Sequence, residues 1–203
     1  IMDVMDEEAS DDYSKLAGVS DLDRVDRNPL VAAKKRLPWL VILLFLGLIT
    51  ASLISRFETA LEQKAILAIF IPLIGGMAGN SGTQALAVAV RGLATGDIEE
   101  QSKWKLILRE AGTGFITGTT CGLTILLVIY VWQGDVLLGF LVGMSIMATI
   151  IVATLAGSIV PLLMHRLKID PAVASGPFIT TISDIISILI YFGMATMFMS
   201  YLI

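Results

Sequence analysis

The chain has 203 residues, 56% of them hydrophobic and only 16% charged, with a mean hydropathy of +0.83. A soluble domain carries about 25% charged residues, so this composition excludes an ordinary soluble globule. The net charge of −4 gives no reason to expect a nucleic-acid partner, and the single cysteine, Cys121, excludes a disulfide framework within one chain.

In chain order, the charge is uneven from the start. Nine Asp or Glu residues lie between Asp3 and Asp26, against Lys15, Arg24 and Arg27. This acidic opening has no early hydrophobic region, which predicts no cleavable signal peptide. The chain opens on Ile1 in the middle of an acidic phrase, and more cytosolic mass is expected upstream. In "SDLDRVDRNPLVAAKKRL", Ser20 and Asp23 form a loose capping box. It predicts a helix running toward Arg36 that brings Lys34, Lys35 and Arg36 to a membrane face.

Apolar runs long enough to cross a hydrocarbon layer of roughly 30 Å then recur. Backbone groups in lipid need internal partners, so the expected fold is all-α and polytopic. Five spans are expected, near Pro38–Ser55, Ala65–Leu93, Leu106–Gln133, Val136–His165 and Pro177–Tyr201. Lys34, Lys35, Arg36, Arg91, Lys103, Lys105, Arg109, Arg166 and Lys168 fall on one side, against Arg56 and Lys64 on the other. Cytoplasmic loops carry the excess of Lys and Arg, so the N-terminus is expected inside and, after five spans, the C-terminus outside.

The second span is expected to be interrupted. Gly75, Gly76, Gly79 and Gly82 fall close together, with Asn80, Ser81, Thr83 and Gln84 among them. Each Gly costs a helix about 1 kcal/mol against Ala. Broken helices at membrane depth line wet cavities; the alternative is a glycine-rich helix face with a kink. Asn80 and Gln84 favour a hydrophilic surface. In the third and fourth spans Gly114, Gly118 and Gly122, and Gly139 and Gly143, recur at four-residue spacing. Such spacing predicts close helix packing within the chain, with a subunit interface as the alternative.

The fifth span is the most informative. Pro177 suits a first helical turn, and Thr180, Asp184, Ser187 and Tyr191 follow at steps of four, three and four. They draw a polar stripe on an apolar helix, expected to face a partner helix, a cavity or a symmetry mate rather than lipid. An Asp at the centre of a membrane helix costs roughly 2.5–3.5 kcal/mol on insertion scales and marks a functional position. No basic residue lies in the apolar interior of the spans to neutralise it, since Arg91 and Arg109 sit at span ends. His165 stands alone at a span edge and Cys121 has no companion, so zinc and copper chemistry is not expected. Oxygen ligands alone favour a hard cation such as Mg²⁺ or Ca²⁺, and a sparse site that keeps the water shell fits Mg²⁺ better than a tight protein cage does. One chain offers a single negative charge at Asp184; a two-fold dimer offers two. The competing use of a lone intramembrane Asp is as the proton relay of a proton-coupled carrier. No Ser/His/Asp set or HExxH pattern exists, so no enzyme activity is expected.

Three segments resemble the MgtE family of magnesium channels. "GGMAGNSGTQ" followed by "VRGLATGDI" resembles the signature of the family's second helix. "LILREAGTGFITG" is similar to the start of its third helix, and "IDPAVASGPFITTISDIISILIYF" to its fifth. The resemblance runs from Asp21 onward. It implies a dimeric helical bundle with the pore for hydrated Mg²⁺ between two copies. It also implies residues 1–20 as an acidic cytosolic segment ending a CBS domain, 21–36 as a connecting, plug-like helix, and 37–203 as the five-helix transmembrane channel domain of a cell-membrane protein. Asp184 matches the pore aspartate, and the Thr180 backbone carbonyl the position four residues before it. Asn80, Gln84, Ser183, Ser187 and Gly176 are expected to line or support the pore, and Glu110 and Asp170 match acidic positions at the cytoplasmic mouth. Gly176 and Thr83 stand where the family often has Asn. The implied partners are the lipid bilayer, a second copy, the cytosolic N and CBS domains of the full-length protein, and Mg²⁺ as both transported ion and regulatory ligand.

Overall fold

The computed structural model describes Ala17 and residues 28–96, 103–168 and 176–202, with side chains of the last helix described to Phe198. Most of the expected acidic segment, the first part of the connecting helix and Asp170 lie outside the described residues. Within them the fold is all-helical, with six helices in chain order: α1 Pro29–Ser55, α2 Glu58–Gln63, α3 Leu67–Ala94, α4 Lys103–Gln133, α5 Val136–Arg166 and α6 Gly176–Leu202.

Local chemistry sets the helix starts. Asn28 is extended (φ −98°, ψ 115°), its Oδ1 accepts a hydrogen bond from the Leu30 amide at 3.0 Å, and Pro29 takes the first helical position. Pro29 is therefore the start of the helix that carries Lys34, Lys35 and Arg36. The helix that does reach Arg36 runs on without a break through Pro38 into the first expected span. Asp135 caps α5 by accepting from the Leu138 amide at 2.9 Å, after a turn at Gly134 with φ +69° that an L side chain rarely adopts.

Among the described residues four helices are long and apolar enough to cross a membrane: α1, α4, α5 and α6. The second expected span, α3, has 28 residues but falls short in apolarity, because Asn80, Ser81, Thr83 and Gln84 occupy its middle.

Helix α5 is the centre of the bundle. Helices α3, α4 and α6 pack against it, α6 also packs on α3, and α1 rests mainly on α6. The main core joins Leu67, Phe70 and Ile74 of α3 to Leu141, Ile146 and Ile150 of α5 and to Ile188 and Phe192 of α6. No residue of α1 is buried, which leaves Leu40, Leu44, Phe45 and Leu48 facing outward. At one end, Phe57 stacks on Phe192 with ring centroids 4.9 Å apart, and Lys64 pairs with Asp135 at 3.5 Å.

The glycines of α4 and α5 serve helix packing within the chain, as their spacing predicts. A Cβ on Gly118 would stand 2.8 Å from the Met147 carbonyl, and one on Gly143 2.6 Å from that of Gly122. The two backbones approach this closely because neither carries a side chain at the crossing.

The expected interruption of α3 is absent: the helix is continuous from Leu67 through the glycine run to Ala94. The physical reason is that these glycines form a contact surface. Gly75, Gly79 and Gly82 admit α6, and Gly82 also touches Gly157 of α5 so closely that a Cβ on Gly157 would collide with the Gly82 carbonyl. Contact on two sides offsets the helical cost of several glycines, which a count of propensities along one strand of sequence does not include.

Candidate functional site

Asp184 lies on the side of α6 that meets α3. A Cβ on Gly75 would stand 3.0 Å from its Oδ1, one on Gly79 2.7 Å from Thr180 Cγ2, and one on Gly82 2.9 Å from Ser183 Oγ. The spacing 75, 79, 82 on α3 thus reads against 184, 180, 183 on α6. Small residues on one helix make room for the polar stripe of the other.

Most of the stripe is already satisfied. Thr180 Oγ1 donates to the Gly176 carbonyl at 2.7 Å, and Ser187 Oγ to the Asp184 carbonyl at 2.8 Å. These are back-bonds within α6, available to hydroxyls in any apolar helix. Tyr191 Oη donates to the Leu67 carbonyl at 2.9 Å and ties α6 to the first turn of α3. Ser187 and Tyr191 are both 1% exposed. The stripe therefore faces a partner helix along its length, and only Asp184 and Thr180 near its start remain partly open. Ser183 is fully buried and its hydroxyl has no hydrogen-bond partner among the described residues. Gly176 opens α6 and supplies the carbonyl that holds Thr180.

The Asp184 carboxylate differs from its neighbours. It is half-buried, yet among the described residues no side chain forms a hydrogen bond or ion pair with it. Nor is there a group of three or more His, Cys, Asp or Glu residues among them that could hold a metal in a protein cage. A hard cation beside a single carboxylate, with hydroxyls and carbonyls nearby, keeps most of its water shell.

Asn80 and Gln84 are not with Asp184. They sit on another side of α3 and line a cleft of about 620 Å³ between α3, α4 and α5, together with Ser81, Glu110, Thr113 and Thr117. Glu110 is only 6% exposed and takes hydrogen bonds from Arg109 Nε at 3.2 Å and Nη2 at 3.0 Å. Ser81 Oγ and Thr154 Oγ1, 2.6 Å apart, close the floor. The candidate residues thus fall into two groups with α3 between them. Sequence reasoning missed the Arg109 partner of Glu110 and the polar face of α4. The signal was present: Arg109, Thr113, Thr117 and Cys121 recur every four residues, offset by one from the glycines that meet α5.

Comparison with known proteins agrees with this architecture. Residues 71–194 match the model of the MgtE family, described as a divalent cation transporter. The chain is 58% identical over its full length to a magnesium transporter MgtE of Enterococcus faecalis, of which it covers 45%. It is 49% identical over 198 residues to a magnesium transporter MgtE of Bacillus subtilis, covering 98% of this chain and 44% of that protein. It is 36% identical over 197 residues to that of Thermus thermophilus, covering 96% of this chain and 44% of that protein. The chain thus spans less than half the length of these curated relatives. An all-helical bundle with four apolar helices among the described residues, a glycine seam along an aspartate of an apolar helix and a family match over most of its length lead to one conclusion: the chain belongs to the MgtE family of divalent cation transporters.

Proposed function

We propose that this chain is the membrane core of a magnesium channel, passing hydrated Mg²⁺ through a pore between two copies. The carrying observation is Asp184: a carboxylate on an apolar helix, half-buried against Gly75, with no partner among the described residues. One such group supplies half the charge of a divalent ion, and a two-fold axis beside it supplies the rest. Contact through water spares the ion most of its dehydration, so it binds and still leaves, as conduction requires. Thr180 stands one turn before Asp184 and its carbonyl is the proposed second contact. Helix α3 is the remaining span of the five, its glycines covered by α5 and α6 and its Asn80 and Gln84 turned to the cleft. The N-terminus is cytoplasmic and the C-terminus outside, following the Lys and Arg asymmetry. Glu110 and Asp170 belong to the cytoplasmic mouth. Mg²⁺ also serves as regulatory ligand through the cytosolic N and CBS domains of a full-length protein.

The test is Mg²⁺ flux into proteoliposomes at matched protein levels. Asp184→Asn keeps shape and removes charge; it should lose most transport, and Asp184→Ala likewise. Asp184→Glu should retain part. Flux at the parent rate in Asp184→Asn would remove the carboxylate from the ion's path. A strict need for a proton gradient would favour the relay reading instead.

A further inference from the structure

We propose that the cleft between α3, α4 and α5 is a water-filled vestibule, separated from the Asp184 face by α3, that admits water and small polar solutes as far as Cys121. Three observations converge. The side-chain amides of Asn80 and Gln84 border the cleft and form no hydrogen bond among the described residues. The Oε1 atom of Glu110 receives both Arg109 bonds, while Oε2 receives none. Helices α3 and α4 barely touch there, leaving about 620 Å³.

Lipid chains cannot satisfy these groups. An amide or carboxylate oxygen without a partner in hydrocarbon costs several kcal/mol. At ~30 Å³ per water, the cleft has room for about 20 molecules, with Asn80, Gln84 and Glu110 along its wall. Thr113 and Thr117 already donate to the Arg109 and Thr113 carbonyls at 2.9 and 2.8 Å, so they add hydroxyl oxygens as further acceptors. The Arg109–Glu110 pair cancels its own charge, so nothing fixed in the cleft selects a divalent cation; the occupant class is neutral and polar. From Glu110 to Cys121 the cleft follows α4 for ~17 Å, about half the hydrocarbon layer. It opens sideways between α3 and α4, where Asn80, Gln84, Thr113 and Thr117 are exposed; at the start of α4 it is closed by Ala89, Leu93, Leu106 and Leu162.

Cys121 borders this cleft and is a native reporter. Only a thiolate reacts with methanethiosulfonates, and a thiolate forms only where water reaches. The intact protein in proteoliposomes is treated with a cationic, membrane-impermeant methanethiosulfonate. Ile116 and Leu127, 66% and 59% exposed and absent from the cleft wall, serve as lipid-facing controls, each changed to Cys in a Cys121→Ser background. Cys121 should react at least about tenfold faster than either control, since exposure to water governs thiol reactivity. Thr117→Cys in the Cys121→Ser background, exposed on the same wall of the cleft, should also react faster than either control. Equal rates at Cys121 and the two controls would overturn the proposal.

Discussion

Gly79→Ala should destabilise the protein in one background and stabilise it in another. An added Cβ at this position stands 2.7 Å from Thr180 Cγ2, where ordinary contact begins at 3.4 Å, a shortfall of 0.7 Å. The next nearest atoms, Thr180 Cβ and Cα, lie at 3.6 and 3.8 Å, within ordinary contact. Thr180 cannot simply rotate, because its Oγ1 is held on the Gly176 carbonyl at 2.7 Å. Overpacking of this kind costs about 1–3 kcal/mol. Replacing Gly by Ala in a helix returns about 1 kcal/mol, so the net loss is roughly 0–2 kcal/mol. Thr180→Ser removes Cγ2 and keeps the hydroxyl bond. In that background the clash is gone and Gly79→Ala should gain up to about 1 kcal/mol. The assay is a four-member mutant cycle on purified protein in mixed micelles, read by unfolding with increasing denaturing detergent. The coupling energy expected is about 1–3 kcal/mol, well above the error for sites that do not touch. The same sign and size of effect in both backgrounds would refute the α3–α6 seam as described.

Other substitutions separate backbone contact from open space. Gly157→Ala drives a methyl group into the Gly82 carbonyl, which no side-chain change relieves, and should cost at least about 3 kcal/mol in the same unfolding assay. Gly112→Ala meets nothing within 4 Å and should gain about 1 kcal/mol. Tyr191→Phe removes the bond to the Leu67 carbonyl and should lose about 0.5–1.5 kcal/mol. Ser183→Ala removes a buried hydroxyl that has no partner; the protein should be at least as stable, with Mg²⁺ flux unchanged.

The extents of the helices were legible because apolar runs in lipid-like surroundings have few alternatives. The third expected span begins at Leu106 and the helix at Lys103; both end at Gln133. The four-residue glycine spacing of α4 was legible for the same reason, since it has one main physical use. The continuity of α3 was not. Propensity argues against a helix through Gly75–Gly82, and only the arrival of α6 on one side and α5 on another reverses that. Rotation about α3 was equally hidden. Asn80 and Gln84 lie close to Gly79 and Gly82 in sequence, yet one pair lines the cleft and the other meets α6. The periodicity of α6 placed Thr180, Asp184, Ser187 and Tyr191 on one face correctly. It did not say that Ser187 and Tyr191 are covered by α3, because that depends on where two helices cross.

The bundle is fastened unevenly along its length. Near α2, the Phe57–Phe192 stack, the Tyr191–Leu67 bond and the Lys64–Asp135 pair hold the chain from α2 to the start of α3, the α4–α5 turn and α6 together. Midway along the bundle α3 and α4 part at the cleft, and Ala89, Leu106 and Leu162 bring α3, α4 and α5 together again toward the start of α4. Helix α4 thus spans the cleft like a beam supported at both ends and laid against α5 along its glycines. Side chains at Thr113 and Thr117 face open space between those supports, so their size can change without disturbing either attachment.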